Sequence, residues 1–138
     1  MYIMEQVVIF ARVSTDKQEY YRQINELTDY CRQRNWEVVE VFANKVSGAT
    51  TNEQRAEIQE LVEYVKNHQI SRVVCLEISR VGRNTLEALK VIQLLNENRV
   101  SLFVKNYNLE TLDADGNNPI ASLICTILLE IASMERLT

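Results

Sequence analysis

The chain has 138 residues, of which 46% are hydrophobic and 25% charged, with a net charge of -4 and a pI near 5.1. This is enough chain for one good core and too little for two, with the composition of an ordinary globular domain rather than a disordered or fibrous one. The acidic balance leaves no global electrostatic footprint for nucleic acid, which argues against a DNA-binding module but less against a catalytic domain that grips a single phosphate locally.

In chain order, Met1-Tyr2-Ile3-Met4 has neither a basic region nor a long apolar core, so no targeting peptide is expected. Val7-Val8-Ile9-Phe10 is a continuous apolar run, the form a strand takes when helices cover both faces of a parallel sheet. Ile24, Leu27 and Cys31 then recur at helical spacing and predict a helix over about 17–34, with Asp16 and Glu19 at capping-box spacing before it. Residues 36–43 read as a second strand, and 45–52, polar with Ser47-Gly48, as a mobile loop. Ile58, Leu61, Val62 and Val65 mark one face of a second helix.

Val73-Val74-Cys75-Leu76 repeats the buried-strand pattern. Asn84 and Glu87 then open a third helix whose Leu89, Ile92 and Leu95 face inward, and 100–105 make a fourth strand. Alternation of strand and helix requires right-handed crossovers, so the fold class is α/β: a mainly parallel central sheet of four to five strands flanked by helices. The polar stretch 107–118 has room for a short edge strand that the sequence does not place. Asn118 and Pro119 start a final helix, where Leu123, Ile124, Ile127, Leu128, Leu129 and Ile131 spread over more than one face and so require cover on more than one side. Glu130 interrupts this helix, which is too short to span a bilayer, and no membrane association is expected. The absence of a stop signal at Thr138 suggests a cut inside a helix.

Cys31, Cys75 and Cys125 are scattered among apolar residues without Cys-x-x-Cys spacing, which reads as reduced buried thiols in a cytoplasmic protein. The single histidine, His68, lies away from every motif, leaving little material for a His-based zinc site or a Ser-His-Asp triad. No metal or other cofactor is expected.

Arginines follow each of the first three strands. Arg12 and Ser14 follow the first strand, Arg55 lies beyond the second, and Arg80 and Arg83 follow the third. Ligands bind open α/β sheets at the carboxyl ends of the strands, and the planar guanidinium fork pairs with two phosphate oxygens while staying cationic. Several such loops converging on one edge make an anionic pocket. Each residue also has a plain reading: Ser14 or Thr15 as a helix cap, Arg80 and Arg83 as solvated loop charges, Gln18 and Gln23 as helix surface.

Arg12-Val13-Ser14-Thr15 with Gln18 and Gln23 resembles the nucleophile motif of the serine site-specific recombinases, the resolvase and DNA-invertase family. Lys45-Val46-Ser47-Gly48 with Arg55 resembles that family's mobile loop and its arginine. Ser79-Arg80-Val81-Gly82-Arg83-Asn84 resembles its arginine-pair loop, and Met134-Glu135-Arg136 its Glu-Arg pair on the long helix ending the catalytic domain. The four stretches occur in the right order over essentially the whole chain.

The resemblance implies a single catalytic domain, 1–138, with an α/β core over 1–118 and the start of a long oligomerisation helix over 119–138, and a DNA-binding domain beyond 138. It implies attack by Ser14 on a DNA phosphodiester, a 5′-phosphoserine intermediate, and strand exchange with religation in inversion, resolution or integration. Arg12, Arg80 and Arg83 would hold the phosphate, Arg55 would join from the mobile loop, Glu135 and Arg136 from the long helix, and Gln18 and Gln23 would assist. Double-stranded DNA and further copies of the chain, a homodimer becoming a tetramer when active, are the implied partners, in a bacterial or mobile-element setting. One departure concerns proton transfer: many members carry Asp before the first arginine of the third loop, and here that residue is Ser79. The alternatives are a flavodoxin-like or phosphatase-like phosphate-binding module, weakened because no glycine-rich loop follows the first strand, and a non-catalytic oligomerisation domain, which leaves the arginines unexplained.

Overall fold

A computed structural model describes residues 4–13, 17–45, 51–77 and 85–112, together with 127, 130, 131 and 134; side chains at 13, 44–45, 51–55 and 85–86 lie outside that description. The elements are β1 (Glu5–Val13), α1 (Lys17–Gln33), β2 (Trp36–Lys45), α2 (Thr51–Asn67), β3 (Arg72–Cys75), α3 (Thr85–Glu97), β4 (Ser101–Val104) and β5 (Leu109–Glu110). They form one sheet in the order β2-β1-β3-β4-β5, in which only β5 runs antiparallel to its neighbour.

Alternation along β1 divides the core. Val8 and Phe10 point to the face covered by α2 and α3, where they meet Leu61, Val65, Ala88, Ile92 and Leu95. Val7, Ile9 and Ala11 point to the other face, against Leu27 and Cys31 of α1. Both faces are covered, which is why β1 reads as an unbroken apolar run. On α3 the buried stripe is Ala88, Val91, Ile92 and Leu95, with Leu89 packed partly buried at its side.

Pairing of β1 with β2 slips by one residue, since Val7 lies opposite Val38 and Val8 opposite Glu40. This β-bulge lets Val38 and Val41 face one core and Val39 and Phe42 the other, while Glu40 stays exposed and its Oε1 accepts a hydrogen bond of 2.9 Å from the Val41 amide. Of the loop expected over 45–52, the two ends belong to β2 and α2, and residues 46–50 lie outside the described residues. β2 continues to Lys45 and α2 begins at Thr51, because Glu53-Gln54-Arg55-Ala56 favours helix.

Helices α1, α2 and α3 end without glycine. Asn35, Gln69 and Arg99 adopt φ of 60°, 54° and 60° just beyond the helix ends. After α2 and α3 the next residue closes the turn: Ile70 N–H donates to Val65 O and Val100 N–H to Leu95 O, both at 2.9 Å. Ile70 and Val100 are themselves buried, so their packing offsets the cost of a left-handed residue that carries a Cβ.

The amino-terminal edge of the sheet is tied by Arg72. Its guanidinium reaches Glu5 at 2.6 Å and Glu110 at 2.7 and 2.8 Å, and lies 4.2 Å from the Trp36 ring centre. Burial opposes the charge of Arg72, yet the hydrogen bonds and charges of Glu5 and Glu110 outweigh it and raise its pKa. Glu110 also accepts from the Ser101 hydroxyl, so the edge strand that the sequence left unplaced, β5, is fastened by polar contacts rather than by an apolar run. Cys31 and Cys75 are buried and outside any disulfide; burial pushes the Cys31 thiol up to about 11, against the pull of Arg72, and keeps it protonated near neutrality.

Candidate active site at the carboxyl end of β1

The connection from β1 leads to β2 on one side, and the connection from β2 crosses back to β3 on the other, so strand order switches direction between β1 and β3. That switch point is where open α/β sheets bind ligands. β1 extends past its neighbour here: its last partner on β3 is Val74, opposite Ile9, and it continues to Val13.

Arg12 occupies this extension. It has the same parity as Val8 and Phe10 and so points to the α2 side, where it is 5% exposed. A guanidinium this far from water requires a counter-charge. Glu57 of α2 supplies one, with its Oε2 3.7 Å from Arg12 Nη2. Glu57 is one turn before Leu61 and two before Val65, so the helix face that builds the core also carries the carboxylate to the strand end.

Gln23 reaches the same sheet from the opposite face. It continues the buried stripe of α1 formed by Leu27 and Cys31, is 4% exposed, and its Oε1 has no hydrogen-bond partner among the described residues. The sequence allowed Gln23 to be plain helix surface; burial removes that reading. Gln18, in the first turn of α1, is exposed.

Arg55 lies on α2, two residues before Glu57, and its side chain is outside the description. Ser14, Arg80, Arg83, Glu135 and Arg136, with Ser79, lie outside the described residues. Among the candidates, the structure therefore locates Arg12 and Gln23 on either face of β1 and α1, and adds Glu57, which sequence reading passed over. The available signal was its helical spacing to Leu61 and Val65, an acid on the core stripe of α2 opposite a sheet that ends in arginine. Among the described residues no group of three or more His, Cys, Asp or Glu is arranged to hold a metal ion, and no described helix is long and apolar enough to cross a membrane.

Residues 7–138 match the family model of the resolvase N-terminal domain. A resolvase of Clostridium perfringens (strain 13 / Type A) is 30% identical over 131 residues, covering 94% of this chain and 64% of the relative. The Tn917 transposon resolvase of Enterococcus faecalis is 26% identical over 127 residues, covering 92% and 61%. Among solved structures, the N-terminal catalytic domain of TP901-1 integrase superposes with a TM-score of 0.70 at 27% identity, covering 96% of this chain and 97% of that one. The fold and the family match define a serine-recombinase type of catalytic domain. The chain belongs to the resolvase family, to its N-terminal domain, and the flavodoxin-like and phosphatase-like alternatives fall away. It spans less than two thirds of the length of the curated relatives it matches.

Proposed function

We propose that this chain is the catalytic part of a site-specific DNA recombinase acting through a serine nucleophile. The observation that carries the reading is Arg12, a cation buried at the carboxyl end of β1 at the sheet's switch point, two residues before Ser14 in a chain that matches the family from residue 7 to 138. Ser14 attacks the scissile phosphodiester, its oxygen forming the bond to phosphorus as the 3′-oxygen leaves and takes a proton. The product is a 5′-phosphoserine and a free 3′-hydroxyl, and the reverse attack reseals the strand after exchange.

A phosphodiester is anionic and repels a nucleophile, so catalysis rests on offsetting charge and aligning oxygens. Arg12, Arg80 and Arg83 hold the non-bridging oxygens, Arg55 closes from α2, and Glu135 and Arg136 support the site. Gln18 and Gln23 act from α1; the buried acceptor of Gln23, which lacks a partner among the described residues, supports a role beyond packing. With Ser79 where many relatives have Asp, proton transfer to the leaving oxygen falls to another group.

In this reading arginines take the place that divalent ions have in polymerases. Covalent protein-DNA adduct should therefore form at an undiminished rate in excess chelator when the full-length protein is incubated with DNA carrying its recombination site. Loss of adduct in chelator, restored by a divalent cation, would favour a metal-dependent nuclease.

The acting form is an oligomer on double-stranded DNA in a bacterial cytoplasm, with a DNA-binding segment beyond residue 138. Ile127, Ile131 and Met134, helical and spaced four and three residues apart, are 50%, 47% and 64% exposed. They form one apolar face, and a second copy covers it at a gain of roughly 1.5 to 3 kcal/mol per large side chain. Sedimentation equilibrium should find a dimer or larger for the parent and a folded monomer for Ile127→Lys/Ile131→Lys; a monomeric parent at high concentration would contradict the assembly.

A further inference from the structure

The ion pair between Arg12 and Glu57 sets a second function for α2, and the inference that follows rests on the proposed recombinase reading. The two residues face each other across the interior: Arg12 continues the Val8 and Phe10 face of β1, and Glu57 heads the Leu61 and Val65 face of α2. The Arg12 side chain is 6% accessible and that of Glu57 25%, and the Glu57 Oε2 that faces Arg12 is itself buried.

The chain contains an instructive contrast. Arg72, at the opposite edge of the sheet, is clamped by two carboxylates at 2.6 to 2.8 Å. Of these contacts, the one from Nε–H to Glu110 at 2.8 Å is a charge-assisted hydrogen bond, and the others are ion pairs. The contact between Arg12 and Glu57 is an ion pair at 3.7 Å. Such a pair supplies counter-charge to a buried cation at the edge where open α/β sheets bind ligands.

We propose that Glu57 is a resting counter-ion for Arg12, a positioning residue that keeps the guanidinium ordered and neutralised until a DNA phosphate displaces it. Phosphate binding and release of Glu57 are then a single exchange of anions. The carboxylate protects the strand end from an uncompensated buried charge in the absence of DNA, and it lowers the affinity of the site for stray anions.

The test uses full-length protein and the Glu57→Gln variant, which keeps size and hydrogen-bonding capacity while removing charge. Inorganic phosphate is the probe, its binding read from the rise in melting temperature with concentration, against sodium chloride at equal ionic strength. Glu57→Gln should bind inorganic phosphate about fivefold or more tightly than the parent. The difference should vanish when Arg12→Ala is present in both proteins. In covalent adduct formation the DNA concentration giving half the maximal rate should fall by a similar factor, with the maximal rate within about twofold of the parent.

Equal phosphate affinities overturn the inference, as does a gain that survives Arg12→Ala, which would mark a general charge effect. A fall of about tenfold or more in maximal rate also overturns it, since Glu57 would then act in the reaction itself. If Glu57→Gln does not fold in phosphate-free buffer, inorganic phosphate should restore its melting transition where sodium chloride does not; lack of rescue counts against the proposal. A parent protein that forms no adduct under any condition defeats the recombinase reading, whereas equal phosphate affinities in a protein that forms adduct defeat this inference alone.

Discussion

Arg12→Lys should slow covalent adduct formation by about a hundredfold or more while the protein stays folded. The substitution keeps the charge, so a site that needs only a cation at the end of β1 would tolerate it. Two properties are lost. The ammonium is a point charge that cannot pair with two phosphate oxygens in one plane, and it is more strongly hydrated than guanidinium, which matters at a position only 5% exposed. Arg80→Lys and Arg83→Lys should show losses of the same kind. Single-turnover rates of adduct formation, compared with melting temperatures of the same samples, separate chemistry from folding. Near-normal rates in all three variants would mean that these arginines do not contact the phosphate.

The largest expected loss of stability lies on the α1 side of the sheet. Phe103 in β4 is 1% exposed, stacks on Tyr30 with ring centres 5.7 Å apart, and meets the Trp36 ring edge-on at 5.2 Å. The Arg34 guanidinium stands 4.5 Å from the Trp36 ring centre and 5.5 Å from that of Phe103, closing the cluster from outside. Phe103→Ala removes the common member of these contacts and leaves a cavity bounded by β3 and α1, at a cost of about 3 to 5 kcal/mol. That is a large part of the roughly 5 to 15 kcal/mol by which a domain is stable. Tyr107→Ala, in the turn after β4 where the ring is 53% exposed, should cost within about 0.5 kcal/mol. Urea unfolding of the two variants checks the contrast, and a loss below about 1 kcal/mol for Phe103→Ala would show that the cluster repacks.

What could be read from sequence was whatever a periodic pattern encodes. The run from Val7 to Phe10, the Ile24-Leu27-Cys31 stripe and the short apolar β3 led to a parallel sheet with helices on both faces, and the sheet is so built. The arginines after the strands pointed to one sheet edge as the candidate site, and Arg12 lies at the carboxyl end of β1. The features that escaped depend on pairing between distant residues. β5 is two residues long and held by Arg72 and Ser101 contacts to Glu110, none of which has a local signature. The bulge opposite Val7 and Val8 exists because β2 must serve two cores while paired to β1. Helix ends at Asn35, Gln69 and Arg99 lack the glycine that ordinarily marks them, and only the burial of Ile70 and Val100 explains two of the three.

Glu57 is the clearest case of a candidate hidden from sequence reading. An acid at that position on an amphipathic helix reads as a boundary charge until α2 is laid across β1 and the carboxylate is found beside Arg12. For Gln23 the sequence offers only the family resemblance, and the structure adds its burial.

The central claim, that Ser14 is the nucleophile, is tested most directly by trapping the protein-DNA adduct, digesting it, and identifying the phosphorylated residue by mass spectrometry in the parent and in Ser14→Ala. The account predicts a phosphodiester bond from Ser14 to a 5′-phosphate in the parent and no adduct in Ser14→Ala, whose melting temperature stays close to that of the parent. Adduct in Ser14→Ala, or a parent adduct attached at any other residue, would contradict it.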